Sequence, residues 1–135
     1  MGRRLALDTS VLIAAERAQH VPESWFFPDD HLGLPMIALA EFRAGIACAR
    51  PDYRPRMQRF LGRFLELVDV LPYDNAVLEQ HVRLIAWTSL HGVPRGQNDL
   101  IIAATAAATD SVLATLDQRA HFGDLPGIQA VVLSL

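Results

Sequence analysis

Four carboxylates stand in apolar surroundings that a freely solvated acid rarely occupies. Asp8 follows Leu5-Ala6-Leu7 and precedes Thr9-Ser10 and the apolar run Val11 to Ala15. Glu41 lies in Ile37-Ala38-Leu39-Ala40-Glu41-Phe42, Asp99 leads Leu100-Ile101-Ile102, and Asp117 closes Leu113-Ala114-Thr115-Leu116. Carboxylates buried together raise one another's pKa or are driven apart unless a cation compensates. If these four converge, they form an all-oxygen site for Mg²⁺ or Mn²⁺, ions that keep waters able to attack a phosphate. Singly, each has a plainer explanation: Asp8 and Asp99 as helix caps, Asp117 closing a turn, Glu41 as a half-exposed helix residue.

Other chemistries are thinned out by composition. Cys48 is the single cysteine, so there is no internal disulfide and no multi-cysteine zinc site, and it reads as a small buried residue on a helix face. His20, His31, His81, His91 and His121 are scattered and read mostly as surface or packing residues, His121 as packing. All 12 basic residues are arginines. Without lysine, neither a P-loop nor a lysine-assisted phosphoacceptor site can be assembled.

The net charge of −3 offers no global attraction to nucleic acid, so any phosphate contact must be local. Arg50, Arg54, Arg56, Arg59 and Arg63 crowd one segment. Arginine suits bidentate phosphate contact, and a solvated helix face explains the same cluster equally well.

The elements that must position the acids follow from the hydrophobic pattern. Strand-like runs at 4–8, 31–34, 68–72, 111–116 and 128–133 alternate with helical ones at 9–17, 36–50, 74–92 and 98–109 and an amphipathic stretch beginning at Met57. Such alternation builds βαβ units, giving an α/β fold with a parallel sheet of about five strands flanked by helices. Pro35 ends one strand and opens a helix, Pro51 to Pro55 reads as a connector, Asp74 as an N-cap and Gly92 as a helix stop. The 98–109 helix is apolar nearly all round, as for one packed in the middle. At 135 residues a single domain, 1–135, is expected. No apolar run reaches the roughly 20 residues of a membrane span, so a cytoplasmic protein is expected.

The ordered segments Leu7-Asp8-Thr9-Ser10-Val11-Leu12-Ile13, Leu39-Ala40-Glu41-Phe42-Arg43-Ala44-Gly45, Gly96-Gln97-Asn98-Asp99-Leu100-Ile101-Ile102 and Ala114-Thr115-Leu116-Asp117, followed by Phe122, resemble the motifs of the PIN-domain nucleases. Within that family the chain is similar to the VapC toxins of bacterial type II toxin–antitoxin pairs. The resemblance spans the whole chain and implies a PIN-like three-layer fold and a Mg²⁺- or Mn²⁺-dependent endoribonuclease that directs water at an RNA phosphodiester.

It places Asp8, Glu41, Asp99 and Asp117 on the family's acidic positions, and Thr115 and Ser10 where a hydroxyl supports the site. Asn98 is either a neighbour that supports the acids or a helix cap. Arg43 and Arg95 are candidates to position phosphates. Gln118 to His121 makes the Asp117–Phe122 spacing one residue longer than usual, which leaves Asp110 and Asp124 as conceivable stand-ins for the fourth acid. The implied partners are RNA, a VapB-type antitoxin covering the acidic pocket, and a second copy in a homodimer. The alternatives are a PIN-fold interaction module with little turnover, or a PIN nuclease acting on DNA or in RNA maturation.

Overall fold

The computed structural model describes residues 2 to 134. Five strands, β1 (Arg4–Leu7), β2 (His31–Pro35), β3 (Asp69–Leu71), β4 (Val112–Thr115) and β5 (Ala130–Val132), pair in the order β3-β2-β1-β4-β5, and every pairing is parallel. Helices α1 (Thr9–Ala18), α2 (Met36–Cys48), α3 (Arg54–Leu65), α4 (Asn75–His91) and α5 (Gln97–Ala108) make the crossovers and flank the sheet. The expected α/β architecture is the observed one.

β1 is central, with Leu5, Ala6 and Leu7 almost inaccessible, as the strand of a parallel sheet covered on both faces must be. It pairs with β2 on one side and β4 on the other, Leu7 opposite Ala114. Chain order reverses between β1 and β4. In open parallel sheets the crevice beyond the strand ends at such a reversal is where ligands bind. Asp8 follows β1 and Asp117 follows β4 by two residues, so both acids open onto it.

Each helix boundary has a local cause. Asp74 accepts a hydrogen bond from the Val77 N–H at 3.0 Å and caps α4, and Gly92 ends α4 with φ of 63°, a conformation that costs glycine little. α2 begins directly after Pro35 and stops at Cys48 rather than Arg50. α3 begins at Arg54, inside the segment expected to be a connector, because proline is tolerated in a helix's first turn and Pro55 sits there. α5 buries Leu100, Ile102, Ala103, Ala104, Thr105 and Ala106, as expected of a central helix.

Two expectations fail. Cys48 is exposed: α2 buries only Ala38, Phe42 and Ile46, and Cys48 lies two residues past that stripe, on another face. His121 is also exposed. It joins two short 3₁₀ turns with φ of 48°, and the packing residue of this loop is Phe122.

The edges are tied by polar contacts. Arg3 donates from its backbone N–H and guanidinium to Asp30, whose carboxylate also accepts from the Phe27 N–H. The Trp25 indole donates to the Ser134 carbonyl at 2.8 Å, fixing the loop after α1 to the chain's last described residue. No helix among the described residues is long and apolar enough to cross a membrane.

Candidate active site

Asp8 is the deepest of the four acids at 7% exposure. Its Oδ2 accepts hydrogen bonds from the Ser10 hydroxyl at 2.8 Å and the Thr115 hydroxyl at 2.8 Å. Those hydroxyls also bind the chain just past β4: the Leu116 N–H donates to Ser10 Oγ at 3.1 Å and the Asp117 N–H to Thr115 Oγ1 at 3.0 Å. Asp8 occupies the N-cap position of α1 without a capping hydrogen bond from its side chain. Its carboxylate faces the β1–β4 crevice instead of the helix end.

Glu41, on α2, is held at both oxygens. Thr9 donates to Oε1 at 2.7 Å and the Asn98 amide to Oε2 at 3.2 Å. Asn98 therefore supports an acid from the second position of α5. Thr9 was not singled out for a role by the sequence, although its place between Asp8 and Ser10 was the available signal.

Asp99, in the first turn of α5, accepts no hydrogen bond from the described residues. Burial lifts its carboxyl above the usual carboxylate range, and the charges of Asp8, Glu41 and Asp117 lift it further, while Arg95 pulls it back. That set of neighbours brings four segments of the chain to one place. Among the described residues, no three His, Cys, Asp or Glu side chains close into a ready-made ion cage.

Asp117 is the exposed outer member. Its Oδ1 accepts from the Arg119 N–H at 3.0 Å, so it does close a turn while it faces Asp99. Asp124 borders the adjoining crevice of about 360 Å³ with Asp99, Arg95 and His121, but its side chain is 77% exposed. Asp110 follows α5 and precedes β4, which puts it at the opposite end of the sheet. Neither is among the charges acting on Asp99.

The two candidate arginines differ. Arg95 donates to the Ala120 carbonyl and, at 2.7 Å, to the His121 carbonyl, with its guanidinium 5.9 Å from the Phe122 ring centroid. It therefore clamps the loop after Asp117 to the loop before Asp99. Arg43 is exposed and borders a groove between α2 and α3 with Leu39, Ile46, Arg54 and Leu61. Residues two apart on a helix do not share a face, so Arg43 points away from Glu41.

The family model described as PIN domain matches residues 5–127. The chain belongs to the PIN domain family. Among curated relatives, Ribonuclease VapC1 of Rickettsia felis is 26% identical over 134 residues, covering 96% of each protein. Among solved structures, VapBC2 from Rickettsia felis bound to a DNA fragment from their promoter superposes with a TM-score of 0.87 at 20% identity, covering 97% of this chain and 99% of that one. At that identity the likeness establishes the fold. VapBC-5 from Mycobacterium tuberculosis superposes with a TM-score of 0.76 at 27% identity, covering 96% of this chain and 98% of that one.

Proposed function

We propose that residues 1–135 form a single PIN domain that works as a Mg²⁺- or Mn²⁺-dependent endoribonuclease, the toxin of a VapBC-type pair. The observation carrying this reading is the gathering of Asp8, Glu41, Asp99 and Asp117 at one crevice, with Asp8 held by Ser10 and Thr115 and Glu41 by Thr9 and Asn98. Acids gathered in one crevice repel each other, and the repulsion is relieved by a cation. The similarity to Ribonuclease VapC1 supplies the substrate class.

The donor set suits a hard ion, because it is all oxygen and part of it is unclaimed. Asp8 Oδ1 and the Asp99 carboxylate accept no hydrogen bond from the described residues, whereas Asp8 Oδ2 and both Glu41 oxygens do. Asp8 and Asp99 would hold the ion directly. The open arrangement fits Mg²⁺, which commonly takes only one or two carboxylates and fills the rest of its octahedron with water. When bound, the ion supplies positive charge against the phosphate and lowers the pKa of nearby water.

The remaining work belongs to this chain's residues. Thr9 and Asn98 fix Glu41 so that its carboxylate orients the attacking water and takes its proton. Ser10 and Thr115 set the angle of Asp8 and tie it to the backbone of Leu116 and Asp117. Asp117 marks the solvent edge of the site, where the leaving oxygen departs. Arg95 meets phosphate with the N–H groups not spent on Ala120 and His121, whereas Arg43, turned toward the α2–α3 groove, is left out of the site.

The partners under this reading are RNA, a second copy of the chain, and a VapB-type antitoxin that places a basic side chain among the acids, all in the cytoplasm. Purified protein should cut RNA with Mg²⁺ or Mn²⁺ and lose the activity in EDTA. Equal cutting in excess EDTA, with contaminating nuclease excluded, would overturn the metal mechanism. Expressed alone in a bacterial host, the chain should arrest growth, the Asp99→Asn form should not, and co-expression of the VapB-type antitoxin, sought as the small protein encoded beside this chain, should rescue. Growth arrest by well-expressed Asp99→Asn would favour the non-catalytic interaction module.

A further inference from the structure

A second concentration of charge lies away from the acids, with the opposite sign. Residues 50–66 hold five arginines and two acids in a chain whose net charge is −3. Not all five are available. Arg54 spends its Nε–H on the Ala49 carbonyl at 2.9 Å, whereas Arg56, 3.8 Å from the buried Glu16 through its Nε, stays 50% exposed and still offers its terminal N–H groups. Arg50 is paired only with the exposed Asp52, at 3.3 Å. Arg59 and Arg63 are exposed and make no salt bridge among the described residues.

Arg56, Arg59 and Arg63 fall at i, i+3 and i+7, one stripe on the outer side of α3, because Phe60, Leu61 and Phe64 turn inward. Their steps, about 5–6 Å between Cβ atoms, suit a ladder of cations beside a chain of phosphates. At the head of the stripe is Tyr53, 43% exposed, with the guanidiniums of Arg50 and Arg56 at 5.2 and 5.4 Å from its ring centroid. An exposed aromatic dressed with arginines, continued by a basic stripe, is the composition that binds single-stranded nucleic acid: the ring stacks on a base of any identity and the arginines hold the backbone.

The position fits a substrate strand that continues past the cut. α2 carries Glu41 and ends seven residues later at Cys48, a rise of about 10 Å before the chain reaches Arg50 and Tyr53. Arg56 lies beside Glu16 and Arg63 borders Gln19 and Val21, at the end of α1 away from Thr9 and Glu41, so the stripe leads away from the crevice and meets a strand that extends well beyond the cut.

We propose that Tyr53 and the α3 arginines Arg56, Arg59 and Arg63 form an accessory track for the single-stranded part of the RNA substrate, outside the acidic crevice. This rests on the ribonuclease reading for the identity of the polyanion. The track sets affinity and leaves the chemical step alone, and it contacts phosphate without regard to sequence.

The test uses Tyr53→Ala and the double variant Arg59→Gln/Arg63→Gln, which leaves Arg56 beside Glu16 so that no buried acid is stranded. The probe is a long labelled single-stranded RNA that the wild-type protein cuts once, together with the shortest fragment of it that is still cut. Binding is read in EDTA, so it does not depend on cleavage. The double variant should bind the long RNA about tenfold or more weakly. Its salt slope should fall by about 1.4, two phosphate contacts at about 0.7 each in a single strand. KM for the long RNA should rise with kcat unchanged, and cutting of the short fragment should match wild type.

Unchanged affinity and salt slope in folded variants, beside normal wild-type cutting, would overturn the track and leave the nuclease reading intact. If wild type cuts no RNA, the nuclease reading fails on its own, and the EDTA binding comparison still decides the track. Weakened binding of the neighbouring small protein with RNA binding unaltered would assign the surface to an acidic protein and overturn the proposal.

Discussion

The Thr115 hydroxyl donates to Asp8 Oδ2 at 2.8 Å across 107 residues of sequence, and its oxygen accepts the Asp117 N–H at 3.0 Å. One side chain thus fixes the relation between the innermost and outermost acids. Thr115→Val keeps the shape and removes both contacts. It should cost about 1–2 kcal/mol of stability, the range for stranding a buried partner, and reduce RNA cleavage at least tenfold. Thr115→Ser should recover most of both. Denaturant melts and cleavage rates on the three proteins decide it, and a Val variant as active as wild type would remove Thr115 from the site.

Asp99→Asn should separate activity from stability. A carboxyl with a raised folded pKa binds its proton more tightly folded than unfolded, so its contribution is most favourable at low pH and declines as pH rises through the folded value. At neutral pH without metal, the charged Asp99 therefore costs stability, and the Asn form should melt at the same temperature or higher. Mg²⁺ or Mn²⁺ should raise the wild-type Tm more than that of Asp99→Asn. A metal-free Asn variant that melts well below wild type would make Asp99 a structural residue.

Arg95→Ala removes the clamp on the Ala120 and His121 carbonyls and the one cation acting on Asp99. It should lower kcat several-fold by freeing the loop after Asp117 while leaving metal binding no weaker, since a positive charge beside the ion is lost. Arg95→Lys should restore little of the rate, because a single ammonium cannot reproduce a planar fork holding two carbonyls. The readout is metal titration followed by single-turnover cleavage. Full activity in Arg95→Ala would show that the loop after Asp117 keeps its place unaided.

Asp30 gives the fold its own pH signature. The Arg3 side chain, with help from the Phe27 and Arg3 backbone N–H groups, holds its carboxyl down at about 2, against the opposing effect of burial. A depressed folded pKa stabilises above the unfolded value, and that stabilisation is lost as pH falls from about 4 towards 2. Asp30→Asn should destabilise the protein at pH 7 and flatten the acid limb of its stability curve. Matched melts from pH 7 down to 2.5 test both, and parallel curves would show that Arg3–Asp30 contributes nothing to that limb.

The parts of the fold written in local sequence were readable. Apolar runs ending at Asp8 and near Asp117, the Asp74 cap and the Gly92 stop all act within a few residues, so pattern alone located the strands and the start and end of α4. α2 was harder. Its Ala, Gly and Cys positions carry little amphipathic signal, so nothing in the pattern said which face Cys48 would take. For the site, residue types and order marked the four acids. Their supporting bonds run between residues 32, 57 and 107 apart, as from Thr9 to Glu41, Asn98 to Glu41 and Thr115 to Asp8, and no local rule generates them. Arg95 was noticed for its charge, yet its two bonds go to carbonyls of a loop whose path only the folded chain determines.

The acids are contributed by β1, α2, α5 and the end of β4, in that order along the chain. During synthesis, Asp8 precedes Thr115 and Asp117 by more than a hundred residues. No prefix of the chain that stops short of β4 can close the crevice or hold Asp8 through Thr115. A growing chain that has not yet reached Asp117 therefore carries no complete carboxylate set, and the four acids come together as the last step in assembling the crevice.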